Sequence, residues 1–396
     1  MYDFGQILKI PTVMMRGGTS KGLILRQADL PSDPDLRDLV ILRMYGSPDS
    51  NQIDGLGGGT SLTSKLALVG PPSHPDAHID YTFGQVSVES KVIDYHVTCG
   101  NFVTAVGLYA VEEGYVPLKE PVTSVRVFNT NTKKLIITEI PVKNGQIQYE
   151  GDFTIDGVPG SSARIMLNFP DSGGTFTGKT LPTGRPKDIV KLPDGREFEA
   201  SIVDCGNVLV MVRAQDVGMQ GTELESEING NRELLHTLES IRVECGIRIE
   251  LIREEERASV TAATHALPKI AMVASPAGYN TAGGGKVVSS QDIDIVSRYI
   301  SMGRLHRAHA VSGAIALAAA AGIPDTIPNQ LAKASESGIR IGHPSGVLYA
   351  EATVERNGDD WAVTRAANGR TARRLIEGYA HVPVTVLQKQ EEELRA

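Results

Sequence analysis

Two of the three cysteines in this 396-residue chain lie in the same Cys-Gly-Asn triplet, at Cys99 and Cys205. The residues after Cys99, NFVTAVGLYAVEE, have the apolar spacing of a helix, whereas those after Cys205 indicate a strand. A cysteine at a helix N-terminus has its thiolate favoured by the helix dipole and by free N–H groups. The pattern therefore predicts Cys99 as the reactive thiol, the alternative being a small buried residue that caps a helix. Cys205 and Cys245 are expected to be packing residues.

Lys65 directly precedes the apolar strand pattern LALV. A lysine at the edge of a buried strand has a lowered pKa and can act as a proton-abstracting base. The alternative is an ordinary exposed lysine at a strand start. The preceding GLGGGTSLTSK (55–65) fails the spacing of a phosphate loop because Thr, not Lys, follows the last glycine. Its glycines are expected to offer N–H donors to an anion.

Further residues are expected to bind carboxylates. RGGTSKG (16–22) combines three glycines, two hydroxyls and two cations, which suits carboxylate recognition, although a tight turn with a solvated lysine is the alternative. The starts of two predicted helices would add N–H donors, and a lysine in the second half would add a charge. The expected substrate-binding residues are Gly18, Thr19, Ser20, Lys21, Gly100, Asn101, Lys269, Ser312 and Gly313.

The second half of the chain repeats features of the first half in the same order. The repeat aligns Lys65 with Lys269, His96 with His309 and Cys99 with Ser312. The matched segments are 22–31 with 208–218, the helical patterns 35–46 with 232–246, 64–72 with 268–276, 96–114 with 309–324, and 134–151 with 347–364.

This repeat predicts a duplicated α/β domain. Both segments of the last matched pair alternate apolar and polar residues around Asn-Gly, which is a hairpin signal. This signal indicates mixed or antiparallel sheet and not a simple Rossmann arrangement. The joint is placed in the stretch from Ser172 to about Arg196, which is rich in Gly, Pro and Lys. The predicted domains are therefore residues 1–185 and 186–396.

Composition excludes several classes of protein. A net charge of −8 argues against a nucleic-acid partner. Three widely spaced cysteines do not build a disulfide framework and fit reduced thiols in the cytoplasm. No signal peptide is evident, and the longest small-apolar run, 313–324, is too short for a membrane span. HPDAH (74–78) and HRAH (306–309) have metal-like spacings but lack a further ligand, so no metal site is predicted.

Five segments taken together resemble the PrpF family of methylaconitate isomerases over essentially the whole chain. They are MMRGGTSKG, GGGTSLTSK, VTCGNF, HAVSGAIALAAAAG and IGHPSG. The resemblance implies the fold of diaminopimelate epimerase. In that fold an α/β (α+β) chain forms two pseudo-symmetric domains, each a mixed or antiparallel barrel-like sheet around a central helix. It also implies that Lys65 and Cys99 are catalytic. Diaminopimelate epimerase has a second cysteine where this chain has Ser312, which argues against epimerisation by paired thiols.

The implied activity is cofactor-independent isomerisation of an unsaturated tricarboxylate by removal and return of an allylic proton. The first expectation is cis–trans isomerisation of 2-methylaconitate in the methylcitrate cycle of propionate catabolism. The alternatives are a 4-oxalomesaconate tautomerase or Δ-isomerase, a methylitaconate Δ-isomerase and a non-catalytic carboxylate-binding protein. The expected partner is a small tricarboxylate, and a homodimer is compatible with such folds.

Overall fold

The structure, a computed structural model, describes residues 2, 3, 6–95, 99–260, 267–282, 284–301, 303–333 and 338–385. The elements of the first part of the chain are β1 (Tyr2–Asp3), β2 (Ile7–Gly17), β3 (Ser20–Arg26), α1 (Pro34–Tyr45), β4 (Lys65–Gly70), β5 (Ile79–Val86), β6 (Ile93–Asp94), α2 (Gly100–Glu112), β7 (Val122–Asn129), β8 (Lys134–Lys143), β9 (Gln146–Ile147), β10 (Phe153–Ile155), β11 (Val158–Ser162) and β12 (Ile165–Asn168).

The remaining elements are β13 (Asp188–Lys191), β14 (Glu197–Asp204), β15 (Val208–Arg213), α3 (Glu225–Gly230), α4 (Arg232–Arg248), β16 (Lys269–Ala274), β17 (Tyr279–Asn280), β18 (Val287–Val288), β19 (Ile295–Ser301), β20 (Arg304–Leu305), α5 (Val311–Gly322), α6 (Ile327–Leu331), β21 (Ile339–His343), β22 (Gly346–Asn357), β23 (Asp360–Arg370) and β24 (Ala372–Pro383). Short 3-10 helices lie at Gln27–Asp29, Ala214–Val217 and Glu254–Glu256.

The chain divides into two compact units. Unit 1 comprises Met1–Leu167 and Gly369–Ala396, and unit 2 comprises Asn168–Asn368. The last strand belongs to unit 1 because β24 pairs antiparallel with β2 along nearly its full length, from Ile7 opposite Pro383 to Gly17 opposite Ala372. The division at 185 and 186 expected from the sequence therefore does not coincide with these units, since a hydrophobic pattern does not reveal which distant strand completes a sheet.

Unit 1 is built on a mixed sheet. The hairpin of β2 and β3 is antiparallel, β3 runs parallel to β4 across the connection through α1, and β4 is antiparallel to β5. Strand β5 then runs parallel to β7, with α2 in the connection, and β7 is antiparallel to β8. Both parallel pairs are crossover connections that use a helix, as parallel neighbours require.

Unit 2 has the same strand order. Here β14 and β15 form the antiparallel hairpin, β15 runs parallel to β16 after α4, and β16 is antiparallel to β19. Strand β19 runs parallel to β21, with α5 in the connection, and β21 is antiparallel to β22. The register is also repeated, because Lys65 lies opposite Gly22 and Lys269 lies opposite Leu209. His96 lies outside the described residues, so its match with His309 stays a prediction.

Each unit contains one helix that is buried on every side. Every residue of α2 from Phe102 to Val111 is buried, and so is every residue of α5 from Gly313 to Ala320. A helix that is apolar all round is stable only inside a core. Within unit 1, α2 contacts β2, β3, β4, β5, β7, β8 and β24; within unit 2, α5 contacts β14, β15, β21 and β22. The predicted arrangement of a sheet around a central helix is confirmed.

Local signals in the sequence account for several boundaries. The side chain of Asp33 accepts a hydrogen bond from the Leu36 N–H at the start of α1, and Gly46 ends the helix with a left-handed φ of 75°. Asn144 and Gly145, with φ of 55° and 70°, connect β8 to β9, as the Asn-Gly hairpin signal predicts. None of the helices in the described part of the chain combines the length and the apolar character that a bilayer crossing needs.

Candidate active site

Cys99 directly precedes α2 in an extended conformation, with φ of −131° and ψ of 101°. Its carbonyl accepts hydrogen bonds from the N–H groups of Phe102 and Val103, while its side chain makes no cap bond. The Sγ atom lies 3.5 Å from Ser20 Oγ, within hydrogen-bonding distance for sulfur. Cys99 is half-buried and Ser20 is buried, so this thiol lies at the N-terminal end of a core helix and keeps partial access to solvent.

Lys65 is the first residue of β4 and is half-buried. Its Nζ donates a hydrogen bond to Gln85 Oε1 and lies 5.6 Å from the centre of the Phe83 ring. The backbone carbonyl of Lys65 accepts a hydrogen bond from the Tyr45 hydroxyl, which also accepts one from the Leu23 N–H at 3.0 Å. The Tyr45 hydroxyl therefore connects the backbone of Lys65 to that of Leu23, and the Lys65 amine lies in a partly apolar environment.

Burial and a neighbouring anion act on the Lys65 amine in opposite directions. Burial lowers the pKa of Lys65, and the charge of a Cys99 thiolate raises it by a smaller amount. The net direction is downward, which favours the neutral amine at a lower pH than for a free lysine. Cys99 also affects the Tyr81 phenol, whose pKa is raised mainly by burial. The charge of a Cys99 thiolate therefore acts on both Lys65 and Tyr81 within unit 1.

The predicted carboxylate-binding segment forms the turn between β2 and β3. Gly18, with φ of 53°, occupies the left-handed region, and its N–H donates to the carbonyl of Thr371 at 2.8 Å. Arg16 Nη1 donates to the carbonyl of Gly18 at 3.0 Å and to Thr371 Oγ1 at 2.9 Å. The Lys21 N–H donates to the carbonyl of Leu62 at 2.9 Å. The segment forms a tight turn that brings Ser20 to Cys99, and its role in carboxylate recognition stays a prediction.

Asn101, the second residue of α2, connects that turn to a residue that the sequence did not single out. Its Nδ2 donates to Thr19 Oγ1 at 3.2 Å, and its Oδ1 accepts a hydrogen bond of 2.7 Å from Arg370 Nε. Arg370 ends β23 and is only 6% exposed. One signal in the sequence points to it, namely a charged residue inside the small-residue run AANGRTA, where a strand would bury it.

Lys269 repeats the position of Lys65 in unit 2. It is the first residue of β16, is half-buried, and its Nζ donates to Ser301 Oγ at 3.5 Å. Burial lowers the pKa of Lys269, and the charge of Arg242 lowers it further. The two lysines therefore share a backbone position and differ in their electrostatic neighbour.

The start of α5 differs from that of α2. The helix begins at Val311, so Ser312 lies in its first turn and is not the residue that precedes it. Ser312 Oγ accepts a hydrogen bond of 3.1 Å from Asn207 Nδ2. Gly313 lies against the ring of Tyr299, since a Cβ added there would come within 2.4 Å of Cε2. Both residues contact neighbours within unit 2, and their role in substrate binding stays a prediction.

The other two cysteines are fully buried. Cys205 lies in the turn between β14 and β15, and Cys245 lies in α4. Burial raises the pKa of the Cys205 thiol, with a smaller effect from the charge of Asp204, and burial raises the pKa of Cys245 to about 12. A buried protonated thiol is unreactive, so Cys99 is the accessible cysteine of this chain.

No group of three or more histidine, cysteine or carboxylate side chains with the geometry of a metal site occurs in the part of the chain that the structure describes. His343 is buried at the end of β21, where its Nδ1 accepts a hydrogen bond from the Ser345 N–H at 3.3 Å. A groove of about 500 Å³ lies on unit 2 and contains none of the predicted site residues; it is lined by Arg196, Glu197, Phe198, Asp216, Val217, Asn231, Glu233, Leu234 and Thr237.

The chain is similar in sequence and in structure to known proteins. A family model described as PrpF protein matches residues 7–383. The chain is 46% identical to 3-methylitaconate isomerase of Eubacterium barkeri, over 95% of this chain and 97% of that protein. It is 37% identical to 2-methyl-aconitate isomerase of Shewanella oneidensis, over 95% and 97% of the two chains. A crystal structure of methylitaconate Δ-isomerase is similar with a TM-score of 0.86 and 42% identity, over 97% of this chain and 98% of that one.

Proposed function

Because this chain belongs to the PrpF protein family and is an isomerase, we propose that it moves a proton at an allylic carbon of a small unsaturated polycarboxylate. Lys65 and Cys99 are the proton-transfer groups in this proposal. The observation that supports it most directly is the electrostatic coupling of a half-buried lysine to the single accessible cysteine of the chain, at the N-terminal end of a core helix.

Lys65 acts as the base. Its lowered pKa makes the neutral amine available to accept the allylic proton. The electron pair of the broken C–H bond delocalises over the double bond and its carboxyl group. The N-terminal end of α2, with its partial positive charge, is suited to stabilise that charge.

Cys99 acts as the acid. Its thiol returns a proton to the substrate, and the resulting thiolate regains one from the Lys65 ammonium, so that the enzyme ends in its starting state. Return of the proton to the far carbon shifts the double bond. Return to the original carbon after rotation gives the geometric isomer. Lys21, Lys269, Ser312 and Gly313, together with the turn and the first residues of α2, remain the proposed substrate-binding groups.

Two substrates are proposed, in the order of the sequence identity to the relatives that support them. The 46% identity to a 3-methylitaconate isomerase supports a shift of the double bond in methylitaconate. The 37% identity to a 2-methyl-aconitate isomerase supports the cis–trans reaction that the sequence resemblance puts first. A place in the methylcitrate cycle depends on the second substrate.

The test incubates the purified chain with methylitaconate, 2-methylaconitate and 4-oxalomesaconate separately and follows each by proton NMR. We expect conversion of one of them without an added cofactor, and no conversion by the Cys99→Ser variant. Cys205→Ala is the matched control because that thiol is buried, and it should convert substrate at the wild-type rate. Calorimetric binding of all three acids without conversion or proton exchange would instead indicate a carboxylate-binding protein.

A further inference from the structure

Arg370 has a buried guanidinium group with no carboxylate partner among the described residues. Its Nε donates to Asn101 Oδ1 at 2.7 Å and its Nη1 donates to the carbonyl of Gly369 at 2.7 Å. The residue is 6% exposed. Burying a cation costs several kcal/mol unless an anion or several hydrogen bonds compensate it. A retained charge at this position therefore calls for an anion nearby.

The ionisable group whose charge acts on Arg370 is Cys99, which lies two residues before its hydrogen-bond partner Asn101. Burial lowers the pKa of Arg370 to about 10, and the charge of a Cys99 thiolate acts against that effect. The N-terminal end of α2, which carries a partial positive charge, lies next to the same sulfur. A thiolate at Cys99 would thus have the guanidinium of Arg370, the ammonium of Lys65 and a helix N-terminus around it.

Arg370 is also connected to the β2–β3 turn by hydrogen bonds through Asn101. The amide of Asn101 is used at both ends, since Oδ1 accepts from Arg370 and Nδ2 donates to Thr19 Oγ1. The turn lies tightly on this amide, because a Cβ added to Gly18 would come within 2.3 Å of Asn101 Oδ1. We call this series of contacts, Arg370 to Asn101 to Thr19, the turn clamp.

We propose that Arg370 is a positioning residue: through the turn clamp it holds the β2–β3 turn, and with it Ser20, against Cys99, and its charge stabilises the Cys99 thiolate. The expected effect of Arg370 on catalysis rests on the proposed function, in which Cys99 becomes a thiolate after it donates its proton. The effect on the thiol itself is independent of any substrate.

The two roles of Arg370 can be separated because arginine and lysine differ in shape. A guanidinium serves two acceptors at fixed angles, whereas an ammonium is a point charge on a flexible stem. Arg370→Lys keeps the charge and loses the clamp. Arg370→Met loses both. Asn101→Asp keeps a partner for Arg370, but the new carboxylate neutralises its charge and no longer donates to Thr19.

The experiment measures the rate of Cys99 alkylation by iodoacetamide at one fixed pH near neutrality, by mass spectrometry of the full chain and its peptides. A nearby charge changes the ionisation of a thiol by at least about tenfold, and only the thiolate reacts. We expect Arg370→Met and Asn101→Asp to slow alkylation by about tenfold, and Arg370→Lys to keep it within about threefold of wild type. The same Lys variant should have a lower kcat at a nearly unchanged KM.

Two controls are built into the chain. Arg373→Met removes an exposed charge three residues further along and should alkylate Cys99 at the wild-type rate. Cys205 and Cys245 are fully buried in unit 2, so their protection shows that this unit is folded in each variant, and the urea unfolding transition of the whole chain checks unit 1. Unchanged alkylation of Cys99 in a folded Arg370→Met or Asn101→Asp variant would overturn the proposal. A rise in KM alone would also overturn it, because Arg370 would then bind substrate directly. Alkylation needs no substrate. The alkylation rates therefore test the role of Arg370 even if the chain converts none of the acids, that is, even if the proposed function is wrong.

Discussion

The N-terminal ends of α2 and α5 occupy equivalent places in two units of the same strand order, yet different side chains surround them. At α2, the half-buried Cys99 faces Ser20 and is coupled to Lys65 and Arg370. At α5, Ser312 accepts a hydrogen bond from Asn207 and the helix start lies against an aromatic ring. A duplicated backbone thus provides two similar frameworks, and under the proposed function the side chains around α2 make that one reactive.

The two lysines show the same contrast. Lys65 and Lys269 each begin the strand that runs parallel to the second strand of the hairpin, and burial lowers the pKa of both. The neighbour of Lys65 is a thiol that can hold a negative charge, whereas the neighbour of Lys269 is the cation Arg242. Unit 1 places a lysine and a thiol where both can transfer protons, so this unit is expected to carry the proton transfer.

The largest effect should separate Cys99 from Ser312. Cys99→Ser removes the proposed acid, and kcat should fall by about a thousandfold, as expected for the loss of a general acid. Ser312→Ala removes one neutral hydrogen bond, so kcat/KM should fall by no more than about tenfold. Steady-state kinetics on the substrate identified by NMR measures both. Equal losses in the two variants would remove the distinction between the helix ends.

A second pair of variants compares the glycines at these ends. In Gly18→Ala the new Cβ meets Asn101 Oδ1 in a left-handed backbone, and in Gly313→Ala it meets the Tyr299 ring. Overpacking of this kind should lower the free energy of unfolding by about 1–3 kcal/mol in each variant, measured with urea. Gly18→Ala should also lose about a hundredfold in kcat because the turn that carries Ser20 moves. A larger kcat loss in Gly313→Ala would contradict the comparison.

His309 makes the α5 end sensitive to pH. Burial lowers its pKa from 6.5 to about 4, and its Nε2 lies 3.0 Å from Ser297 Oγ. Between these values the unfolded chain binds more protons than the folded one, so stability falls as pH falls. The free energy of unfolding of wild type, relative to His309→Gln, should decrease by about 2 kcal/mol between pH 7 and pH 5. A pH-independent difference in the urea midpoints would show that His309 is not buried in its neutral form.

The smallest effect is expected from the second Cys-Gly-Asn triplet. Cys205→Ala removes one buried sulfur from the core of unit 2 and should cost about 1 kcal/mol of stability with no change in kcat. Thermal unfolding and steady-state kinetics check the two parts. Loss of activity in a folded Cys205→Ala variant would mean that both triplets take part in catalysis.

Much of the fold followed from the sequence because its signals are local. The helix after Cys99 and the Asn-Gly hairpins depend on residues close in the chain. The alignment of Lys65 with Lys269 depends on two short segments of similar sequence. The structure has each of these features. The return of β24 to unit 1 was not predicted, because strand pairing over more than 350 residues leaves no local pattern.

The candidate site was predicted only in part for the same reason. A helix N-terminus and a strand edge identified Cys99 and Lys65 separately, and in the structure the charge of a Cys99 thiolate would raise the pKa of Lys65 against the effect of burial. Arg370 was missed because its partner Asn101 is 269 positions away. The side-chain amide of Asn101 bonds to Thr19 and Arg370, contacts that were not predicted, and binding of substrate by Asn101 stays a prediction.

The most direct test of the proposed lysine base is deuterium exchange into the substrate from heavy water, followed by proton NMR for wild type, Lys65→Met, Lys269→Met and Cys99→Ser. We expect Lys65→Met to lose exchange at the allylic carbon, while Lys269→Met retains it. Cys99→Ser should still exchange that proton although it no longer isomerises the substrate. Exchange at the wild-type rate in a folded Lys65→Met variant would contradict the account.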